Sequence, residues 1–458
     1  MSSEFDVRQL RARICQLLFQ ESGRGPSAKP SPADSSASKL PHLSVDAYVN
    51  VNFDQQPLPN CSAPAPSAPT NAIATHLLRL RDGAQFGAGE HRVQRSQSSD
   101  NRKQNREMTT DRWVQFTAGD GQPLSLLQVR GDRPPTRGPV LLVHGAGVRA
   151  NIFRPPVAET FVDALLAQGH DVWLENWRAS TDLPPCNWTL DQAALYDHPA
   201  AVQTVLAQTG ASTLKAVVHC QGSTSFTMAA VAGLLPQVSV IVSNAVSLHP
   251  QVSRAAQFKG QWALPLVSLI TDHLNPQWGE GAGALANSAA ARALRALVKF
   301  SHPECDNGVC QFSSFTYGVG HPVLWPHAQL NDATHDWLRN EFGAVPLTFF
   351  RQMARCVAAG RLLRYEALPG SRGVPRLPAD FTAQAPASQA RFVLVAGRSN
   401  DCFKWQSQQA SFDWFNQHQP GRHALQVFED YGHLDVFIGQ HAARDTFPAM
   451  LQALDMPA

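Results

Sequence analysis

One cysteine stands at a position suited to nucleophilic chemistry. An apolar, β-branched run over residues 214–219 stops at Cys220, and Gly222 follows before a stretch compatible with a helix. This pattern predicts a sharp strand–turn–helix corner, which lifts one side chain away from its own backbone. The N–H of Gln221 would point the same way and could bind a developing oxyanion. Cys220 is therefore the candidate nucleophile for attack of a thiolate on an acyl carbon.

Other interpretations of this corner are weaker. A buried cysteine is often only a small apolar residue, but a position between a strand and a glycine-started helix favours a nucleophile. Ser223 and Ser225 offer alternative hydroxyl nucleophiles. Both lie inside the predicted helix, so we expect them to point elsewhere.

A glycine-rich turn follows another short apolar run at residues 140–143. It consists of His144-Gly145-Ala146-Gly147, and glycine tolerates the backbone angles that turn an amide inward. Acyl transfer needs a second amide for the oxyanion. Ala146 is the expected donor, with Gly145 as the alternative.

The candidate general base is His433. It follows the last predicted strand and precedes the last predicted helix, so the chain order is nucleophile, acid, histidine. His433 would take the proton of Cys220 and later activate the acceptor that attacks the acyl-enzyme.

The residue that orients His433 is left open by the sequence. Asp401 is the favoured carboxylate, and Asn400 is the alternative. Asparagine is tolerated beside a cysteine because a thiol is more acidic than a hydroxyl and needs less help from a carboxylate. Asp435 is a poorer candidate because it lies only two residues from His433.

Strands alternate with helices around these residues. This order predicts the α/β class, with a mostly parallel central sheet covered by helices on both faces. The core is expected over residues 108–249 and 389–458, and the long aromatic stretch 250–388 is expected to be a cap or lid inserted over an apolar pocket. Residues 1–107, rich in Ser, Pro and Ala in places, are predicted to be mostly disordered or linker. The expected strands span 113–116, 124–129, 140–143, 171–174, 214–219, 239–243, 391–396 and 425–428, and the expected helices span 158–168, 191–209, 224–235, 405–417 and 442–454.

Bulk properties exclude several classes of partner. The net charge of +2 over 458 residues gives no reason to expect nucleic acid. No run of about 18 apolar residues is present, so no transmembrane helix is expected. The N-terminus lacks a secretory pattern, which predicts a cytoplasmic location. No GxGxxG fingerprint follows a strand near the N-terminus, and no cofactor is expected.

The eight cysteines should be mostly thiols in a reducing compartment. Cys305 and Cys310 form the one close pair. A zinc site would need two further ligands at short spacing, and the nearby histidines, His302, His321 and His327, are scattered. Structural or free thiols are therefore favoured over a metal site here.

The segment from about 108 to 456 resembles the α/β-hydrolase superfamily. It is similar to the hydrolase-like region associated with sterol oxidases of the GMC flavoprotein type, and more distantly to polyhydroxyalkanoate synthases, which use a Cys–Asp–His triad on hydroxyacyl thioesters. The chain departs from the synthases at Val218 and Ser223, where they usually have glycine. The first similarity rests on residues 143–150, 218–223, 244–250 and 432–435, and the second on residues 169–173 and 176–178 together with the cysteine corner.

The resemblance implies an α/β-hydrolase fold and a hydrolase of ester or thioester bonds in a hydrophobic small-molecule substrate. Its acyl-enzyme would form through a triad of Cys220, His433 and Asp401 or Asn400. An acyltransferase of the polyhydroxyalkanoate-synthase type is the alternative, since only the acceptor differs. A non-catalytic scaffold that has kept the fold is the second alternative. The sequence does not indicate the oligomeric state.

Overall fold

A computed structural model describes residues 109–269, 271–283, 285–302, 305–320, 324–365 and 377–456. The predicted linker, 1–107, lies outside the described residues. So does His321. Among the described residues, no helix combines the length and apolarity needed to cross a membrane.

An eight-stranded sheet forms the centre of the fold, in the order β1-β2-β4-β3-β5-β6-β9-β10. The pairs β1–β2 and β2–β4 are antiparallel, and the remaining neighbours are parallel. The α/β-hydrolase fold with a mostly parallel sheet is therefore confirmed. The strands are β1 (Thr110–Thr117), β2 (Pro123–Arg130), β3 (Pro139–Val143), β4 (Asp171–Asn176), β5 (Leu214–His219), β6 (Val238–Asn244), β9 (Arg391–Gly397) and β10 (Ala424–Phe428), and a separate two-stranded sheet pairs β7 (His273–Leu274) with β8 (Val345–Pro346).

Helices cover both faces of the sheet, which is why β3 is buried along its whole length and consists of apolar residues. Short π-helical stretches cover Ala193–Asp197 and Lys259–Ala263, and 3₁₀ turns cover Ala150–Phe153, Pro276–Glu280, His327–Gln329 and Leu338–Asn340. The α-helices are α1 (Phe161–Ala167), α2 (Leu190–Gln192), α3 (His198–Thr209), α4 (Cys220–Val231), α5 (Arg254–Phe258), α6 (Leu264–Val267), α7 (Ala289–Ser301), α8 (Gly308–Tyr317), α9 (Asp332–Trp337), α10 (Leu347–Ala359), α11 (Trp405–His418), α12 (Asp435–Ile438), α13 (Ala442–Asp445) and α14 (Phe447–Asp455).

The helix expected at 224–235 begins four residues earlier, at Cys220, and ends at Val231, and that expected at 158–168 spans Phe161–Ala167. Two further predicted helices are interrupted. The helix expected at 191–209 contains the π-helical stretch between α2 and α3. The helix expected at 442–454 is interrupted at Thr446. The hydroxyl of Thr446 donates to the carbonyl of Val436 (2.7 Å). Pro448 follows in the first turn of α14 and cannot supply a helical N–H.

The described residues between β6 and β9 form several short helices. This segment contains α5 to α10 and the small β7–β8 sheet. A satellite apolar cluster forms there, separate from the main core. Its buried members are Trp278, Ala286, Ala291, Val298 and Phe312.

A buried ion-pair network fixes the loop after β4. The Arg178 guanidinium donates to Asp197 (2.9 Å) and to Asp120 (3.0 Å), and the side chains of Arg178 and Asp197 are fully buried. The neighbouring Trp177 donates its indole N–H to the carbonyl of His144 (2.9 Å). The network therefore positions a loop that supports the glycine-rich turn after β3.

The described cysteines are largely thiols. Cys186 is disulfide-bonded, so the expectation of mostly free thiols does not extend to that residue. The described cysteines that are not in a disulfide are Cys220, Cys305, Cys310, Cys356 and Cys402.

Candidate active site

The corner between β5 and α4 places Cys220 under backbone strain. Its φ is 55°, in the left-handed region that side chains other than glycine rarely occupy. Gly222 makes the corner sterically possible, because a Cβ on that residue would lie 2.1 Å from the carbonyl oxygen of His144. Such strain persists where the surroundings over-determine it, and it is common at active sites.

The glycine-rich turn lies directly against this corner. The β3–β5 register pairs Val143 with Val218, so the two strand ends are adjacent. A Cβ on Gly145 would come within 2.9 Å of the Cys220 Cβ. Glycine therefore allows the turn to approach the cysteine.

Two backbone amides converge on the cysteine sulfur. The N–H groups of Gln221 and Ala146 lie near the Cys220 thiol, and both act to lower its pKa. The carbonyl of Ala146, in the following peptide, accepts from the Tyr317 hydroxyl of α8 (3.1 Å) and so helps to hold the turn. Of the two residues considered in this turn, Gly145 contributes the close approach and Ala146 the directed amide.

The structure brings His433 to the same place. A nitrogen of His433, a nitrogen of His219 and the Cys220 sulfur lie within 4.8 Å of one another. The backbone N–H of His433 donates to the carbonyl of Leu324 (2.7 Å). Its carbonyl accepts from the Asn244 amide (3.1 Å). The histidine loop is therefore held from two sides.

Asn400 contacts the imidazole of His433. Its Nδ2 lies 3.1 Å from the His433 Nδ1, while its Oδ1 accepts from the backbone N–H groups of Cys402 (3.0 Å) and Phe403 (3.3 Å). Because the Oδ1 is committed to two donors, the amide NH₂ must face the ring. Nδ1 is then the acceptor, and the neutral His433 carries its proton on Nε2.

The two nearby carboxylates have other surroundings. The Oδ2 of Asp401 has no hydrogen-bond partner among the described residues, and burial raises the pKa of this carboxyl. Asp435 accepts from the backbone N–H of Gly432 (2.9 Å), and burial raises its pKa to about 7. Its role is to fix the turn that carries His433.

The alternative serine nucleophiles face away from the site. The Ser223 hydroxyl is hydrogen-bonded to that of Ser243 (2.6 Å). The Ser225 hydroxyl contacts the Nε2 of His198 (2.8 Å) and donates to the carbonyl of Gln221 (3.0 Å). Both serines serve internal packing of α4.

His219 belongs to the site and was not anticipated from the sequence. Its ring centroid lies 4.9 Å from that of His433, and its Nδ1 accepts from the Asn244 amide (2.8 Å). Burial lowers its pKa well below the ordinary value. Its position directly before Cys220 could have indicated this role, because the residues of such a corner pack against the catalytic elements.

Burial keeps the central pair neutral. It raises the pKa of the Cys220 thiol to about 12, against the opposing effect of the Gln221 and Ala146 amides. It lowers the pKa of His433 to about 4. At neutral pH the resting site therefore holds a thiol and an uncharged imidazole, not a thiolate–imidazolium pair.

The group formed by His219, Cys220 and His433 is poorly suited to a metal ion. A metal-bound histidine usually donates its other ring N–H to a carbonyl or a carboxylate. Here the Nδ1 atoms of His219 and His433 both face amide donors, from Asn244 and Asn400. Each ring therefore retains its proton on Nε2.

The reacting groups are covered in this structure. Cys220 is 7% exposed and His433 is 5% exposed. Cavities of about 320 and 300 Å³ occur in the described part of the chain, and neither is lined by these two residues. A substrate would therefore have to displace some of the residues that bury Cys220 and His433.

Comparisons with known proteins agree with the observed topology. A family model described as the alpha/beta hydrolase fold matches residues 138–440. No curated protein matches the sequence. An esterase structure from Pyrococcus furiosus, Pf2001, is 14% identical and aligns over 81% of this chain and 98% of its own, with a TM-score of 0.43. A thermophilic esterase from Thermogutta terrifontis is 14% identical, over 75% and 100% of the respective chains, with a TM-score of 0.43. A lipase in an open form is 14% identical, over 76% and 98%, with a TM-score of 0.45.

Proposed function

The chain belongs to the alpha/beta hydrolase fold family, and we propose that it hydrolyses ester or thioester bonds of a hydrophobic acyl substrate through Cys220. The observation that carries this proposal is the convergence of the Gln221 and Ala146 amides on the cysteine sulfur. A carbonyl carbon attacked by that sulfur would place its oxygen beside the same amides. His433 and Asn400 complete the proposed triad.

The reaction would proceed in two acyl-transfer steps. The Cys220 sulfur attacks the carbonyl carbon as its proton passes to the Nε2 of His433, and the leaving alcohol or thiol takes that proton as the tetrahedral intermediate collapses. Water, deprotonated by His433, then attacks the acyl-enzyme and releases the acid. The first step requires a free lone pair on Nε2.

The observed hydrogen bond from the Asn400 amide to the His433 Nδ1 leaves the proton on Nε2, so Nε2 has no free lone pair. Nε2 becomes free only when His433 carries its proton on Nδ1, and Asn400 would then have to turn its Oδ1 toward the ring. That rotation breaks the bonds from the backbone N–H groups of Cys402 and Phe403. We therefore propose a slow enzyme at neutral pH, with a barrier set by this amide.

The tautomer of His433 also favours a second candidate function. A site whose histidine is held in the unproductive tautomer, beside a thiol with a raised pKa, fits a hydrolase-fold protein that binds a hydrophobic acyl compound without cleaving it. The two candidates share a binding site. They differ in whether Cys220 forms a covalent bond.

Intact-mass spectrometry distinguishes the hydrolase from the non-cleaving binding protein, because it detects an acyl group bound to Cys220. The full chain is incubated with p-nitrophenyl esters and acyl-CoA thioesters of increasing chain length, with Cys220→Ala as control. We expect an acyl adduct on the wild type, none on the variant, and slow release of free acid. Release of polymer with free CoA would identify a synthase, as the resemblance to such enzymes allows. Absence of an adduct on Cys220, with equal activity in both proteins, would refute the enzymatic proposal.

A further inference from the structure

A second cluster of chemically reactive side chains lies between β6 and β9, away from the nucleophile. It consists of two cysteines and two histidines, and one nitrogen or sulfur of each lies within 4.8 Å of the corresponding atoms of the others. The members are His302, Cys305, Cys310 and His327. From this cluster we infer a structural zinc site that stabilises this inserted region.

The spacing of the atoms fits tetrahedral coordination. With Zn–S near 2.3 Å and Zn–N near 2.0 Å, neighbouring ligand atoms are separated by roughly 3.3–3.8 Å. The Cys310 Sγ lies 3.4 Å from the Nε2 of His327. Small movements of the remaining side chains would therefore complete a four-coordinate site.

The identities of the ligands favour zinc. Two thiolates and two imidazoles form a tetrahedral S₂N₂ set, which is typical of zinc. The separation of Cys305 from Cys310 by four residues is within the range of structural sites. Neither cysteine is part of a disulfide. They are 6% and 0% exposed, as a closed site requires.

Neighbouring side chains hold the ligands in place. Asn307 accepts from the backbone N–H of Cys310 (3.0 Å) and donates to the carbonyl of His335 (2.6 Å). Gln311 donates to the carbonyl of His302 (3.0 Å) and to that of Cys305. Such outer contacts orient the ligands of a metal site and reduce the entropy lost on binding.

A cavity provides access from solvent to the cluster. Its volume is about 320 Å³, and it is lined by Cys305, His327 and several acidic side chains. His335 also faces it, with its Nε2 3.3 Å from the Cys305 Sγ. Acidic residues would attract a cation to this opening. They are Asp306, Asp332 and Asp336.

A metal ion at this position would add to the stability of the inserted region. The satellite apolar cluster contains only five buried residues and contributes little stability by itself, whereas Cys305 and Cys310 pack into the main core. The proposed ligands come from the end of α7, the start of α8, the loop between them and the 3₁₀ turn His327–Gln329. One ion would join all of these segments.

The decisive experiment measures metal in the full-length protein. Elemental analysis of protein purified without chelator should give about one zinc per chain. Replacement by cobalt should produce the visible and charge-transfer absorption of tetrahedral cobalt thiolate. A Cys305→Ser/Cys310→Ser double variant should lose both signals, whereas Cys356→Ser, which changes a buried thiol outside the cluster, should keep both.

Wild-type protein provides a test that does not depend on the folding of a variant. Removal of zinc by a chelator should lower Tm by at least about 5 °C, and readdition of zinc should restore it. None of these readouts involves catalysis, so they are independent of the proposed hydrolase activity. Protein that contains no zinc, binds no cobalt and shows the same Tm with chelator would overturn the inference. A disulfide between Cys305 and Cys310 in fresh protein would overturn it as well.

Discussion

Replacing Asn400 with aspartate should accelerate the reaction. In the wild type the Asn400 amide donates to the His433 Nδ1, while its Oδ1 accepts from the backbone N–H groups of Cys402 and Phe403. A carboxylate has only acceptors, so one oxygen can keep the two backbone bonds while the other accepts from Nδ1–H. The proton then leaves Nε2, which becomes the base that faces Cys220.

The expected increase in kcat/KM follows from the change in the tautomer of His433. In a serine protease, exchange of the triad aspartate for asparagine costs about 10⁴ in kcat. A thiol depends less on the carboxylate, so we expect Asn400→Asp to raise kcat/KM by about 10- to 100-fold, or roughly 1.4–2.8 kcal/mol of transition-state stabilisation.

The pH profile should change as well. With the Cys220 pKa at about 12, the thiolate fraction at pH 7 is about 10⁻⁵. In the observed tautomer the Nε2 of His433 already carries a proton and cannot take that of the thiol. Attack by the small amount of free thiolate should therefore dominate as the pH rises, and wild-type kcat/KM should increase by up to tenfold per pH unit between about pH 6 and about pH 9. The carboxylate raises the pKa of His433 and favours the ion pair, so the variant should reach a plateau within this range.

The assay is initial-rate hydrolysis of a short p-nitrophenyl ester. Asn400→Leu, which removes the amide without supplying an acceptor, is the matched control and should not be faster than wild type. The Cys220→Ala/Asn400→Asp double variant should be inactive. An Asn400→Asp protein that folds but shows neither a faster rate nor an altered pH profile would refute the tautomer argument.

Three further predictions concern the same architecture. Iodoacetamide should abolish activity in proportion to the mass-detected alkylation of Cys220; full activity after complete alkylation would exclude this nucleophile. Arg178→Ala should lower the free energy of unfolding by about 3–5 kcal/mol, because it leaves the buried Asp197 carboxylate unpaired; an unchanged urea midpoint would contradict that. Gly222→Ala should unfold at lower urea and lose activity, because its Cβ would meet the carbonyl of His144 at 2.1 Å; wild-type behaviour in both assays would show that the corner can relax.

The sheet could be predicted from the sequence because its strands are fully covered. A residue run such as Val140–Val143 is apolar at every position, and burial on both faces explains it. The end of the chain shows the limit of this reasoning. Periodicity predicts one continuous helix at 442–454, but the chain departs from the helix at Thr446, where the following Pro448 has no N–H to continue the bonding.

The arrangement of the candidate site depended on contacts that no local pattern encodes. Residue type favoured the carboxylate of Asp401 as the partner of His433, although the spacing pointed to Asn400, and in the structure Asn400 faces the ring. The loop conformation is set by the two N–H bonds to the Asn400 Oδ1. His219 was not anticipated for a similar reason, because its role depends on Asn244 in a neighbouring strand.

The cysteine–histidine cluster was beyond the sequence argument for a different reason. His302 and His327 looked scattered because 24 positions separate them. They meet only in the folded chain, where the 3₁₀ turn that carries His327 lies beside Cys305 and Cys310. Ligand spacing along the chain is informative only when one turn or hairpin carries the ligands.

The bond between the His433 N–H and the Leu324 carbonyl has a consequence for substrate discrimination. The segment that carries Leu324 also contacts the histidine loop farther along, where the Gln440 N–H donates to the Gln329 carbonyl (2.7 Å). A ligand that pushed this segment outward would also pull the general base away from Cys220. We therefore expect cleavage only of acyl groups that enter without breaking these two bonds, which limits the size of the acyl group that can react.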